Sequence, residues 1–264
     1  MNFHCDDSRT TEELIKLALN AEDEDEVWEL VPSLHFRGNR EVLEAAQKLC
    51  ESEIFKERKL GVDILGQLGI PQRTFLDESL SILFKLLDTE KDSEVLYSIG
   101  IALGHIGDKR AIEPLVKLKN HPIAEVRYGV TFGISGQEDT LAISTLIELA
   151  ADENENVRNW ATFGLGSQIY TDTIDIREAL FQRLVDEEQE IRGEALVGLA
   201  RRGDERVVEP LIKELSSDSV GILAVEAAKE IGDAQLYSAL RQLQEWWNVD
   251  KNLLAEAINS CEPK

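Results

Sequence analysis

The chain has 264 residues, 43% of them hydrophobic, and its 28 basic and 51 acidic residues give a formal net charge of −23. Such a surface repels nucleic acid phosphates and anionic lipids, so a protein with a basic patch is the expected partner, with neither nucleic acid nor membrane. Cys5, Cys50 and Cys261 are far apart, and no apolar run approaches about 18 residues. We therefore expect a cytoplasmic protein without a disulfide framework, a metal site or a cofactor.

The first predicted helix spans Thr10 to Asn20, with apolar residues on one face. Five acidic residues follow at Glu22 to Glu26. They fit the start of a helix before Val27, where carboxylates complement the helix dipole. They also fit an acidic docking site for a basic partner, and the local sequence leaves both interpretations open.

Two helices are predicted between Asn39 and Gly69, and a third at Asp77 to Leu87. Later helices end in a repeated dipeptide, which occurs at Gly107-Asp108, Gly203-Asp204 and Gly232-Asp233. Glycine adopts the left-handed conformation that ends a helix, and aspartate is a good N-cap for the next one. Each dipeptide therefore predicts a tight corner between two helices.

The helical pattern repeats along the chain with a period of about 30 residues. In each unit, apolar or small residues recur at positions 0, +4, +7 and +8 of one helix. The zero positions are Val27, Glu57, Val95, Val126, Val157, Ile191 and Val220, separated by 30, 38, 31, 31, 34 and 29 residues. This periodicity, without any strand pattern, predicts an all-α repeat protein.

The predicted domain organisation is one solenoid over residues 1–264, with an amino-terminal cap (1–38), central repeats (39–233) and a carboxyl-terminal cap (234–264). Pro114 and Pro210 occupy equivalent places in two units, where they should kink a helix or mark its beginning. Trp246 and Trp247 are expected to cover the end of the last repeat.

An aspartate and an arginine six residues apart recur at the turn and second helix of the repeats. This pattern and the Gly-Asp corners resemble HEAT repeats of the short bacterial type named after phycobilisome lyase subunits. The resemblance implies a ladder of turn carboxylates and second-helix arginines that ties neighbouring repeats together. The ladder residues are Asp152 with Arg158, Asp186 with Arg192, and Arg127 and Arg58, which lack the aspartate. A ladder continuous only in the middle and towards the carboxyl end is expected.

The same resemblance implies a right-handed α-α superhelix of about seven to eight helical pairs, with the second helices lining its concave side. Recurrent helix glycines, such as Gly104, Gly133, Gly164 and Gly198, predict a close approach of neighbouring helices. We expect the protein to be a monomer.

No catalytic motif is apparent, so a non-enzymatic role is expected. The four histidines are not followed by glutamate, so the paired His-Glu motifs of the HEAT-repeat enzyme deoxyhypusine hydroxylase are missing. The acidic turn at Asp152 has Val157 and Phe163 where an EF-hand loop requires glycine and glutamate. Phosphate-binding loops and nucleophile elbows are also missing.

Large side chains recur on the face of the second helices that points away from the predicted core. They would form a protein-binding patch on the concave side, unless the helical phase is shifted by one residue and the rings are part of the core. The predicted partner-binding residues are Tyr97, Ile101, Tyr128, Phe132, Trp160, Phe163, Glu194 and Val197.

The predicted function is a non-catalytic scaffold that binds a basic protein through this face. Within that class, an immunity or inhibitor protein that neutralises a basic toxin fits a lone acidic HEAT protein. The alternative, which rests on the repeat family's name, is an accessory subunit or chaperone of a lyase that attaches bilin to phycobiliproteins.

Overall fold

The computed structural model describes residues 7–263, so residues 1–6 and 264 of the two predicted caps lie outside it. In the described part of the chain, all regular structure is helical, with sixteen α-helices and three short 3-10 segments. The helices are α1 (Thr11–Leu19), α2 (Glu24–Arg37), α3 (Arg40–Cys50), α4 (Phe55–Gly66), α5 (Leu76–Leu87), α6 (Ser93–Ile106), α7 (Ile112–Val116), α8 (Ala124–Ile134), α9 (Thr140–Leu149), α10 (Glu155–Ser167), α11 (Ile174–Arg183), α12 (Gln189–Arg201), α13 (Val208–Leu215), α14 (Ile222–Ile231), α15 (Tyr237–Leu243) and α16 (Lys251–Ser260).

The helices form two compact units, one up to Ile134 and one from Ser135 onwards. Each unit consists of four helical hairpins, α1–α8 in unit 1 and α9–α16 in unit 2. Within a unit, the second helices of successive hairpins pack against one another. The predicted all-α solenoid class is confirmed, while the prediction of one domain over residues 1–264 stays a prediction.

Local sequence signals fix where the helices begin. The Thr10 side chain accepts a hydrogen bond from the backbone N–H of Glu13, whose carboxylate accepts from the backbone N–H of Thr10. Both bonds provide an acceptor for backbone N–H groups at the start of α1, which have no partner within the helix. The acidic run behaves similarly, since Asp23 caps α2 by accepting from the N–H of Glu26. The helix-start interpretation of this run is therefore confirmed.

The predicted Gly-Asp corners are confirmed. Gly107, Gly203 and Gly232 have φ angles of 70°, 63° and 61°, and the aspartate that follows each glycine caps a 3-10 turn. An L side chain rarely adopts such φ angles, so glycine is the residue that permits the reversal.

The two equivalent prolines mark helix beginnings. Pro114 and Pro210 are each the third residue of an α-helix that follows a 3-10 turn. The first four N–H groups of a helix have no partner within it, so proline loses no hydrogen bond there. The prediction that these prolines mark the start of regular helix is correct.

Trp247 anchors the last repeat. Its side chain is 4% exposed, and its indole N–H donates a 2.8 Å hydrogen bond to the backbone oxygen of Val220. Trp246, in contrast, is 50% exposed. One of the two tryptophans therefore packs as the predicted cap, while the other presents its ring to solvent.

Candidate protein-binding face

In unit 1, the face of the second helices carries a cluster that we call aromatic face 1: Tyr97 and Ile101 on α6, with Tyr128 and Phe132 on α8. All four side chains are partly exposed. The rings of Tyr97 and Tyr128 lie 6.1 Å apart at 40°, a separation at which aromatic rings attract each other. The structure thus brings these predicted residues together at the surface.

Small residues create the space that Phe132 occupies. A Cβ atom added to Gly104 would lie 2.4 Å from the Phe132 ring, so the ring covers the glycine. The imidazole of His105, exposed at the end of α6, meets the same ring edge-on at 5.3 Å. The glycine identified as a packing residue therefore also positions a ring on the face.

In unit 2, the corresponding cluster, aromatic face 2, consists of Trp160 and Phe163 on α10 and Glu190 and Glu194 on α12. The rings of Trp160 and Phe163 are 5.3 Å apart and inclined at 56°, and both side chains are partly exposed. Rings held at this angle form a V-shaped wall instead of a flat stack.

The two carboxylates of aromatic face 2 are oriented by neutral donors from α10. The amide of Asn159 donates to Glu190 at 3.2 Å, and the hydroxyl of Ser167 donates to Glu194 at 3.1 Å. Burial raises the pKa of Glu194 above its ordinary value, against the lowering effect of the Ser167 hydrogen bond. Glu190 was not predicted as a site residue, although its spacing of four residues from Glu194 on one helix could have indicated it.

The prediction that Val197 lies on the binding surface is wrong. Its side chain is 1% exposed. It precedes Gly198, where α12 approaches α10 so closely that an added Cβ would lie 2.6 Å from the Cα of Gly166. Where two helices lie this close, a valine side chain is too short to reach solvent. The longer aromatic side chains at equivalent positions of other repeats do reach the surface. The binding role of the other predicted residues stays a prediction.

The arginine ladder is present, and its geometry differs from the expected pairing. Each ladder arginine donates to a backbone oxygen six residues earlier, at the turn of its own hairpin. The pairs are Arg58 with Ser52, Arg127 with His121, Arg158 with Asp152, and Arg192 with Asp186. A backbone oxygen can be supplied by any residue, which explains why arginine is retained where the aspartate is lost.

The carboxylate partner belongs to a later hairpin. Arg158 binds both oxygens of Asp186 at 2.9 and 3.1 Å, and Arg192 binds Glu214 at 3.3 and 3.2 Å. Arg58 binds Glu90 at 2.6 and 3.0 Å. Asp186 is thus a ladder carboxylate that ties neighbouring repeats together, as predicted, but its partner is Arg158 of the preceding repeat instead of Arg192. The expected pairing of Asp152 with Arg158 runs through the backbone oxygen of Asp152. The ladder also reaches unit 1, through Glu90, which the sequence analysis missed.

Two ladder carboxylates, Glu90 and Asp186, remain ionised despite their burial. Burial alone would raise the pKa of Glu90. The guanidinium of Arg58 and the backbone N–H groups of Asp92 and Lys91 lower it by a larger amount, so the net shift is downward. The same balance holds at Asp186. Burial opposes its charged form, Arg158 favours it, and the pKa of Asp186 is also lowered. Charge-assisted hydrogen bonds outweigh desolvation at both sites.

A large groove of unit 2 lies on another surface, between α11 and α13. This groove has a volume of about 1390 Å³ and is lined partly by Phe181, Leu184, Val185 and Pro210. Its lining also includes Asp186 and Glu214, whose carboxylates are already bound by ladder arginines. The groove thus combines apolar walls with polar groups that are satisfied within the chain.

Unit 1 has a small acidic pocket at the beginning of its second helices. Its volume is about 200 Å³, and Glu24, Asp63 and Lys59 are among its lining residues. The Lys59 ammonium lies 3.2 Å from Glu24 and 3.5 Å from Asp63. Burial raises the pKa of Asp63 although Lys59 opposes the shift. The pocket therefore already contains a cation from its own chain.

Two kinds of feature are missing from residues 7–263. None of the helices there combines the length and apolar character needed to span a membrane. No group of three or more histidine, cysteine, aspartate or glutamate side chains in this range could hold a metal ion.

Comparisons with known proteins identify the repeats. The HEAT repeat family model matches residues 143–229, and the PBS lyase HEAT-like repeat model matches residues 95–121. The chain contains HEAT repeats. The second match spans α6, α7 and the turn after α7, so the chain contains the short repeat type that the sequence pattern indicated.

Known relatives support the same assignment. The chain is 34% identical to the Escherichia coli K12 protein YibA over 91 residues, which are 34% of this chain and 32% of YibA. It thus spans about a third of the length of the curated relatives it matches.

Solved structures are similar to this chain over nearly its whole length. A crystal structure of E. coli YibA has a TM-score of 0.78 at 28% identity, covering 96% of this chain and 92% of that one. An engineered protein has a TM-score of 0.57 at 21% identity, covering 95% and 77%, which shows the fold alone.

Proposed function

We propose that this HEAT-repeat chain is a non-catalytic scaffold that binds a basic protein through its aromatic faces. The observation that carries the proposal is the pairing of partly exposed rings on the second helices, Tyr97 with Tyr128 and Trp160 with Phe163. Tyrosine and tryptophan are the residue types that most often dominate binding energy at protein interfaces.

The charge of the chain defines the kind of partner. At a net charge of −23, the molecule attracts basic proteins over a distance set by the ionic strength. Rings at the centre of an interface with carboxylates around them combine apolar anchoring with electrostatic steering. We propose an immunity or inhibitor role as the specific form of this function, with a basic toxin as the partner.

The proposal is tested by affinity purification from the source cell with three tagged baits. The wild-type chain is compared with Trp160→Ala/Phe163→Ala and with the matched control Tyr170→Ala/Ile174→Ala. The control removes two large side chains that are 97% and 77% exposed from outside the aromatic faces. We expect wild type and control to retain the same basic protein, and the ring variant to lose at least about tenfold in affinity, since two hot-spot side chains are removed.

The three baits must first show equal helicity and thermal stability. A loss of binding can then be attributed to the changed surface and not to unfolding. Equal retention by all three baits would contradict the assignment of the binding face. Retention that is unchanged between low and high salt would contradict electrostatic steering. The inhibitor role further requires that the retained protein is toxic when expressed alone and harmless when co-expressed with this chain.

The bilin-lyase alternative is distinguished by a mixing experiment. The match at residues 95–121 concerns a repeat type of 27 residues, and repeats of one type serve unrelated functions. A chain that handles bilin should shift the absorption spectrum of free phycocyanobilin. A scaffold for a basic protein should leave that spectrum unchanged.

A further inference from the structure

Aromatic face 2 contains two carboxylates that are held in place without being neutralised. Glu190 and Glu194 accept hydrogen bonds from the amide of Asn159 and the hydroxyl of Ser167, which carry no charge. The ladder carboxylates of the same unit are held instead by guanidinium groups, as in Asp186 with Arg158. The two hydrogen bonds thus orient Glu190 and Glu194 and leave their negative charge available.

Helix geometry places a ring between these two carboxylates. Asn159, Phe163 and Ser167 are four residues apart on α10 and so lie along one stripe of that helix. The first and last of them bind Glu190 and Glu194 across the gap to α12. Phe163 therefore lies between the two interhelical hydrogen bonds, and Trp160 is inclined against it at 56°.

We propose that aromatic face 2 holds a subsite for the side chain of an arginine, with the rings of Trp160 and Phe163 as its wall and the carboxylates of Glu190 and Glu194 at its rim. This inference deepens the proposed function, because it assigns one kind of partner residue to the binding face. A cation over an aromatic ring is attracted by the negative face of the π-system. A guanidinium also stacks on rings and offers several N–H donors to nearby carboxylates.

Arg201, whose charge acts on Glu194, is already engaged. The guanidinium of Arg201 binds Glu226 at 2.8 Å, one hairpin further along. The subsite therefore depends on a cation from outside the chain. Such a cation would also relieve the cost of the partly desolvated carboxylate of Glu194, whose pKa is raised by burial.

The test uses N-acetyl-arginine-N′-methylamide as the probe and the corresponding citrulline compound, which is nearly isosteric and uncharged. Binding is followed by NMR through the indole N–H of Trp160, assigned with Trp160→Phe, and through the side-chain carboxyl of Glu194. We expect the arginine probe to shift both signals saturably and to lower the pKa of Glu194. The citrulline probe should bind at least tenfold more weakly.

The matched variants separate the subsite from general charge attraction. Glu190→Gln/Glu194→Gln should weaken the arginine probe at least fivefold. Glu187→Gln/Glu188→Gln changes the net charge equally at two exposed positions of the same unit and should leave the affinity within twofold. Equal binding of both probes, or equal weakening by both variants, would overturn the subsite.

The outcome is independent of the test of the proposed function. If the arginine probe shows no selectivity while the protein partner is still lost from Trp160→Ala/Phe163→Ala, the subsite is wrong and the binding face stands. If the probe binds as expected and all three baits retain the same proteins equally, the subsite stands and the scaffold proposal fails.

Discussion

A ladder arginine can bind at its turn without an aspartate at a fixed spacing in the sequence. Arg58 has no aspartate at the turn of its own hairpin, yet it donates to the carbonyl of Ser52 and to both oxygens of Glu90. The Glu90 side chain is only 4% exposed and the Arg58 side chain 16%. Because the pair is shielded from water, its hydrogen bonds contribute more than those of an ion pair on the surface.

Removing this carboxylate should measurably destabilise unit 1. Glu90→Gln leaves the Arg58 guanidinium with a neutral acceptor in a partly dry site, so we expect a loss of about 2 kcal/mol in the free energy of unfolding, the range for hydrogen bonds to charged groups. The measurement is urea denaturation followed by circular dichroism. Glu78→Gln is the control, because the Arg40–Glu78 pair is 55% and 48% exposed and should contribute less than about 1 kcal/mol.

The buried imidazole of His35 predicts a specific dependence of stability on pH. Its side chain is 2% exposed, its Nε2 lies 2.9 Å from the backbone oxygen of Asp63, and burial lowers its pKa from 6.5 to about 4. Between these two values the unfolded chain binds a proton that the folded chain does not, so stability falls as the pH falls through this window.

We expect this single group to lower the free energy of unfolding by about 2 to 3 kcal/mol between pH 7 and pH 4.5. The prediction is checked by chemical denaturation at both pH values for the wild type and for His35→Gln. The variant is less stable at pH 7 if the amide packs poorly, but the change in its stability between the two pH values should be smaller by that amount. An equal change in both proteins would contradict a neutral buried His35.

At the scale of elements, the close packing of second helices depends on glycine. A Cβ atom added to Gly100 on α6 would lie 2.5 Å from the backbone carbon of Gly129 on α8. Backbone atoms cannot move aside without shifting a whole helix, so the two helices approach each other only because both residues lack a side chain. This approach also brings the rings of Tyr97 and Tyr128 within 6.1 Å of each other.

Gly100→Ala therefore tests whether the face depends on this contact. Alanine favours a helix by about 1 kcal/mol over glycine, yet we expect a net destabilisation of about 1 to 3 kcal/mol, the usual cost of overpacking. The ring signals of Tyr97 and Tyr128 in NMR spectra should shift as α6 and α8 separate. Gly221→Ala is the control, since its nearest atom would be 3.8 Å away. Because Gly221 is the N-cap of α14, where glycine is preferred to alanine, the variant should lose up to about 1 kcal/mol, but the tyrosine signals should not change.

Helices and corners could be predicted from the sequence because their signals are local. Thr10, Gly107 and Pro114 each act on backbone groups within a few residues, so the residue type alone identifies the role. Glu90 and Glu190 were missed because their partners are 31 or 32 residues away. Val197 was misplaced for a related reason, since its burial depends on the contact between Gly166 and Gly198 and not on the period of its own helix.

At the scale of the whole molecule, the dominant electrostatic property is the net charge of −23. The ladder ion pairs, such as Arg158 with Asp186, are short and partly shielded from water, so added salt weakens them little. The repulsion among the remaining exposed carboxylates acts over longer distances through solvent and is screened efficiently. Salt should therefore remove more repulsion than attraction, and the folded chain should gain stability.

We accordingly expect the melting temperature to rise between about 10 mM and 300 mM sodium chloride, where the Debye length falls from about 30 Å to less than 8 Å. Differential scanning calorimetry provides the measurement. The variant Glu44→Gln/Glu230→Gln/Glu245→Gln changes three exposed residues and reduces the charge to −23 + 3 = −20, so its melting temperature should rise less with salt. A melting temperature that falls with salt in the wild type would mean that attractive pairs dominate, and the proposed attraction of basic partners by excess surface charge would then lose its basis.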